Sequence, residues 1–239
     1  MPEAPCASAK ADPVRKTLMI AASVCAALTA APACADTDHN SQAWFAVNTV
    51  KTLSEQFDAT LELHTRVDDS LTGLTQLLVR PSLTYKLRPS LTLTAGYLFF
   101  RHDPETGQTT NEHRIWEQIG YTIAQKDGGL RVTGRTRLEQ RFTNNGGTGW
   151  RIRQQARIEA PFHATSKVNA VVWNETFFGL NDTNWGARAG FDQTRTFVGV
   201  NLPLAGKVRL EPGYLNQFIA RRGPNVMNHV VAVNFNVKL

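Results

Sequence analysis

An all-β chain, an antiparallel up-and-down transmembrane β-barrel of about ten to twelve strands, is the fold this sequence predicts, and three observations predict it. Apolar and polar residues alternate with period two in segment after segment from Asp36 onward. Turn-forming clusters interrupt that alternation repeatedly. The polar face is dominated by Arg with acids spaced among them, while the apolar face carries hardly any charge and keeps its aromatics near strand ends. A soluble sheet turns its charged face to water; a membrane barrel turns apolar residues to lipid, polar ones to the lumen and aromatics to both interfaces. The averages of 42% hydrophobic, 19% charged and a mean hydropathy of −0.28 hide this, because a barrel devotes every second strand residue to a polar interior.

In chain order, the first element is a leader. Lys10, Arg15 and Lys16 precede the apolar run Thr17 to Leu28, and small residues follow to Ala33-Cys34-Ala35, the order of a secretory signal peptide. Residues 1–35 are therefore expected to be removed, leaving 36–239 as one barrel domain, exported through the periplasm to the bacterial outer membrane. Cys6, Cys25 and Cys34 all lie in the leader, so zinc ribbons, disulfide frameworks and cysteine nucleophiles are excluded from the rest. No later stretch reaches the roughly 18 consecutive apolar residues of a spanning helix.

Trp44 to Lys51 is the first strand candidate. In Phe57 to Val67, Phe57, Ala59, Leu61 and Leu63 oppose Asp58, Glu62, His64 and Arg66; Leu77, Val79, Leu83, Tyr85 and Leu87 then oppose Gln76, Arg80, Ser82, Thr84 and Lys86. Two runs separated by the linker Arg101 to Asn111 follow, the second placing Glu112 and Arg114 inward but His113 and Glu117 on the nominal lipid face, where a bulge or slipped register would repair the pattern. The hairpin of Arg131 to Arg141 and Arg151 to Glu159 alternates cleanly, and the runs on either side of Leu180 to Arg188 turn Glu175 and Arg195 inward. Val208, Leu210, Tyr214 and Phe218 oppose Lys207, Arg209, Glu211 and Gln217, and Val231 to Leu239 closes the chain with one apolar and one polar face. Counting back from a periplasmic C-terminus, Arg101 to Asn111, Thr143 to Thr148 and Leu180 to Arg188 are outer loops, and Pro89, Asp127-Gly128 and Pro203 mark short periplasmic turns. The candidates number eleven, whereas single-chain bacterial barrels take even numbers. Ten or twelve then requires that Trp44 to Lys51 lie outside the barrel or that two strands are merged.

The inward row is rich in charge. Arg131, Arg135, Arg137, Arg141, Arg151, Arg153 and Arg157 share one hairpin with only Glu139 and Glu159; other strands add Asp58, Glu62, Glu112, Glu175 and Glu211, and also Arg66, Arg80, Arg114, Arg195 and Arg209. One reading is a structural Arg–carboxylate network that fills a narrow barrel. The other is a positively charged, porin-like passage or pocket with a preference for anions. Gly96-Tyr97, Gly120-Tyr121 and Gly213-Tyr214 each set Gly inward and Tyr outward, leaving room for a neighbouring long side chain.

Several short segments, in order, resemble the bacterial family catalogued as domain of unknown function 2490: Trp44, Pro81 to Tyr85, Leu93 to Tyr97, Glu112 to Gln118, Arg135 to Arg141, Asn174-Glu175, Phe191 to Arg195 and Glu211 to Tyr214. The resemblance implies an outer-membrane barrel and supplies no mechanism.

The competing function class is a membrane-embedded enzyme acting on lipid or lipopolysaccharide. His64, beside Glu62 and Arg66, is placed to act as a general base. However, no serine sits in a nucleophile elbow and no His/Asp/Glu spacing matches a metal site, so neither metal nor cofactor is expected. Expected partners are outer-membrane lipid and lipopolysaccharide, with the barrel-assembly machinery during biogenesis. No nucleic acid is expected, because the arginines alternate into the interior, and the barrel is expected to be a monomer.

Overall fold

The computed structural model of the protein describes residues 37–68, 74–144 and 146–239. The leader, its three cysteines and the expected cleavage after Ala35 lie outside the described residues.

Among the described residues the chain is entirely strand and turn. Eleven strands follow one another: β1 (Thr37–Thr52), β2 (Phe57–Val67), β3 (Leu74–Arg88), β4 (Leu91–His102), β5 (Thr110–Gln125), β6 (Arg131–Thr143), β7 (Thr148–Pro161), β8 (Asn169–Gly179), β9 (Gly190–Ala205), β10 (Val208–Ile219) and β11 (Asn225–Lys238). Each pairs antiparallel with the next, and β1 pairs with β11 to close the barrel. Closure leaves no unpaired strand edge.

The expected even strand count is corrected. Trp44 to Lys51 belongs to β1, a barrel strand, and each of the eleven candidates is a single strand among the described residues. An odd number forces the first and last strands to run the same way, and β1 and β11 do pair in parallel, in register from Thr37↔Asn225 to Val50↔Lys238. Thr37 therefore lies at the rim opposite Lys238. Parallel ladders are slightly weaker per residue than antiparallel ones, and side-chain amides reinforce this one. Asn48 donates to Asn236 at 3.0 Å and Asn40 to Asn228 at 3.3 Å, each with its register partner. Cysteines replacing Asn48 and Asn236 are therefore expected to cross-link under mild oxidation, their Cα atoms lying about 5 Å apart. Asn48→Cys with Lys238→Cys is expected to stay reduced; cross-linking of that offset pair instead would contradict the register.

Period two decides which side chains enter the barrel. Odd-numbered residues of β1 to β4 face outward, so Phe45, Leu61, Leu63, Leu83 and Leu93 are exposed, and the same surface continues through Ile115, Ile119, Val198 and Val231. An apolar surface of that extent marks an interaction face. The bulge or slip expected near His113 and Glu117 is absent. β4 and β5 keep one register from Leu91↔Tyr121 to His102↔Thr110, and the shift in β5 falls later, between Thr122 and Ala124. Both residues stay outward, where His113 hydrogen-bonds the Tyr97 hydroxyl and packs against Phe99.

Glycine sets the close approaches inside. A Cβ on Gly96 would meet the Trp116 indole at 2.3 Å, so the absent side chain lets Trp116 lie flat on the wall. Gly199 and Gly213, paired across β9 and β10, do the same for the Phe197 ring.

Candidate functional site

The interior is built from even rows of β1 to β5 and β11 and odd rows of β6 to β10. Glu139 of β6 is fully buried and forms its hub. Arg151 reaches it with Nη2 at 2.6 Å and Nε at 3.0 Å, Arg153 with Nη1 at 2.6 Å, and Arg114 stands 3.9 Å away. Arg153 bridges onward to Glu175 at 2.7 Å, which also accepts from Arg135 at 3.0 Å. Glu112 holds Arg114 at 2.8 Å and Arg141 at 2.5 Å. Glu62 takes Arg80 at 2.5 Å, Asp192 takes Arg151 at 2.9 Å, and Glu211 takes Arg157 at 2.5 Å. Seven guanidiniums are thus tied to carboxylates. Arg114, Arg135, Arg141, Arg151 and Arg153 are linked around Glu139, while Arg80 and Arg157 pair apart from it. The forked bonds of Arg141, Arg151 and Arg153 are ones a single lysine point charge would not reproduce.

The sequence-predicted residues separate into three groups. Those seven arginines are expected inward residues, and the structure joins them to Glu62, Glu112, Glu139, Glu175 and Glu211. Near the C-terminal rim, Glu159 bonds Arg157 at 3.3 Å, Arg131 is exposed, and Arg209 is tied to Asn201 and to the Lys167 carbonyl instead of to a carboxylate. Arg66, Arg137 and Arg195 form the third group: inside the barrel, none has a carboxylate within 4.0 Å among the described residues. Arg66 donates to Gln76 at 2.9 Å, Arg137 to Gln118 at 2.8 and 3.0 Å, and Arg195 to Gln193 at 3.4 Å. Arg66 Nε and Arg137 Nη1 have no protein partner among the described residues.

What stabilises these three cations is aromatic surface. The Arg137 guanidinium lies 3.8 Å from the centre of Trp116, and Arg66 lies 3.7 Å from Trp44. Arg195 stands 4.8 Å from Phe177 and 5.2 Å from Trp44, and Arg153 4.4 Å from Phe177. Stacking of this kind contributes about 2 kcal/mol when desolvated, well short of the cost of burying a bare charge. Trp44, Trp116 and Phe177 were not anticipated as interior residues, nor was Asp192 as a charge partner. Period two carries the signal for the aromatics, since Trp116 follows Glu112 and Arg114 in one row and Phe177 follows Glu175 in another.

Two cavities flank this middle layer. One, of about 580 Å³, lies toward the rim bearing the 103–109 and 180–189 connections, and nine arginines line it against two carboxylates, Glu112 and Asp192. The other, of about 340 Å³, lies toward the C-terminal rim and is lined by Asn48, Asn234, Asn236, Glu62, His64 and Glu211, among others. Arg66, Arg80, Arg153 and Arg195 border both, so these four guanidiniums form the partition. His64 stands 3.3 Å from Glu62, a carboxylate already engaged by Arg80. Among the described residues no three His, Cys, Asp or Glu side chains converge to hold a metal ion.

Comparison with known proteins follows the barrel closely in extent. The model of a family described as proteins of unknown function, DUF2490, matches residues 41–228, from within β1 to within β11. An uncharacterized protein of Methylorubrum extorquens is 34% identical over 229 residues, covering 94% of this chain and 99% of that protein. No solved structure matches.

Proposed function

The chain belongs to the DUF2490 family of proteins of unknown function, so its role has to be read from the barrel itself, and we propose that it is an outer-membrane barrel whose interior admits small anions and excludes cations. The carrying observation is the charge balance of the larger cavity, nine arginines against two carboxylates, above a partition in which Arg66 and Arg195 lack acidic partners. Field lines focused by low-dielectric walls make such an excess attract anions and repel cations. The exposed apolar row fits lipid contact, and the outward Tyr97 and Trp150 fit an interfacial aromatic girdle. Lipid and lipopolysaccharide are then the surroundings, with the barrel-assembly machinery acting during insertion. The Arg–carboxylate network is the scaffold that holds the partition in place, so the structural and the anion-selective readings of the arginines describe different members of one set.

Flux tests this. Proteoliposomes containing the mature barrel and a chloride-quenched dye are expected to take up chloride faster than matched vesicles take up thallium. Faster thallium entry, or no entry of either ion above empty vesicles, would overturn the proposal.

A further inference from the structure

The smaller cavity is two-faced. Trp44, Trp173, Phe197, Leu215 and Ala232 give it an apolar side, and six arginines line the rest together with Glu62, Glu175 and Glu211, carboxylates already paired with Arg80, Arg135, Arg153 and Arg157. On the apolar side Trp173 and Phe197 stack, their ring centroids 5.3 Å apart and their planes within 13°. Where the two linings meet, the guanidiniums of Arg66 and Arg195 converge on the Trp44 indole, at 3.7 and 5.2 Å. Neither meets a carboxylate among the described residues: Arg66 Nε has no protein partner there, and Arg195 donates to neutral amide oxygens, that of Gln193 at 3.4 Å and that of Gln217 at 3.2 Å.

From this juxtaposition we infer that the cavity toward the C-terminal rim binds small aromatic monocarboxylates of the benzoate and naphthoate class, the carboxylate held by Arg66 and Arg195 and the ring laid on the Trp44–Trp173–Phe197 wall. A volume of about 340 Å³ falls at the small end of ligand pockets and suits one or two fused rings. A carboxylate offers two oxygens to the planar guanidinium fork, supplying the acidic partner these two arginines lack. Inorganic phosphate would satisfy the same charges but leave the aromatic wall unused, and a neutral aromatic alcohol would leave the guanidiniums unmatched. This inference rests on the anion-accepting reading of the interior, deepening it from ion preference to a ligand class.

Titration of 2-naphthoate into the full mature barrel in detergent, followed by calorimetry, tests it. Saturable binding is expected, at least roughly tenfold tighter than binding of 2-naphthalenemethanol or of inorganic phosphate. Arg66→Gln is expected to weaken naphthoate by about ten- to hundred-fold. Ala232→Phe, which fills the cavity from its apolar side and keeps every charge, is expected to abolish binding in a barrel that still migrates as the compact folded species in unheated gels. Equal affinity for the neutral alcohol, equal affinity for phosphate, retained binding in the folded Ala232→Phe barrel, or absence of binding would each overturn the inference. Chloride flux separates the two proposals: flux without naphthoate binding overturns the ligand alone, whereas cation-preferring flux overturns the anion-accepting interior.

Discussion

Glu139→Gln is expected to lower the unfolding free energy of the barrel by about 3–5 kcal/mol, the cost of stranding buried charge when one partner of an ion pair is removed. Among the described residues Glu139 is the only carboxylate that bonds both Arg151 and Arg153, and Arg114 stands beside it. Gln keeps the shape and one acceptor but removes the negative charge that separates those three cations. Their mutual repulsion in a low-dielectric interior then has no counterweight except Glu175, Glu112 and Asp192 at its edges. Glu159→Gln is the matched comparison. Glu159 pairs with Arg157 at 3.3 Å and accepts from the neutral Asn169 amide at 2.7 Å, near the rim where water screens it, and loss of its charge is expected to cost about 0–1 kcal/mol. Urea unfolding in micelles, followed by tryptophan fluorescence and by the heat-dependent gel shift, measures both. Equal costs would show that the centre of the network is as well solvated as its edge.

Gly213→Val is expected to cost about 1–3 kcal/mol at least, through overpacking. A Cβ at this position would stand 2.4 Å from the Phe197 ring and 2.5 Å from the Val198 carbonyl oxygen. The ring alone could swing aside, but Gly199 lies directly opposite in register and is covered by the same ring, and the carbonyl is backbone. Phe197 is fully buried and anchors the apolar cluster with Trp44, Leu215 and Val230, so displacing it disturbs the wall of the smaller cavity as well as the β9–β10 pairing. Val198→Ala, outward and exposed on the same ladder, is expected to leave stability nearly unchanged. A folded Gly213→Val barrel of undiminished stability would contradict the packing described.

Much of this architecture was legible because a barrel writes its two surfaces into alternate residues. The rows of Glu62, Arg66, Arg80 and of Arg135, Arg137, Glu139, Arg141 needed only period two to be placed inside. The inward Gly213 and outward Tyr214 followed the same rule. What alternation cannot convey is pairing between distant strands. Trp44 to Lys51 reads as a strand, yet its parallel partner in β11 lies 188 positions away for Asn48 and Asn236, and no local pattern encodes that. Charge partners are likewise a matter of register: Arg151 meets Asp192 across 41 positions and Arg157 meets Glu211 across 54. The aromatic platforms were hidden for a different reason. Trp116 and Phe177 lie on the polar row, where an aromatic residue reads as an exception until the guanidinium stacked on it is seen.

Selectivity in a planar bilayer under a potassium chloride gradient tests the anion-preferring interior most directly. The reversal potential of the intact barrel is expected to have the sign set by chloride, and Arg66→Gln combined with Arg195→Gln is expected to move it toward zero without abolishing insertion. A reversal potential of the potassium sign, or one unchanged by removing these two uncompensated charges, would contradict the account.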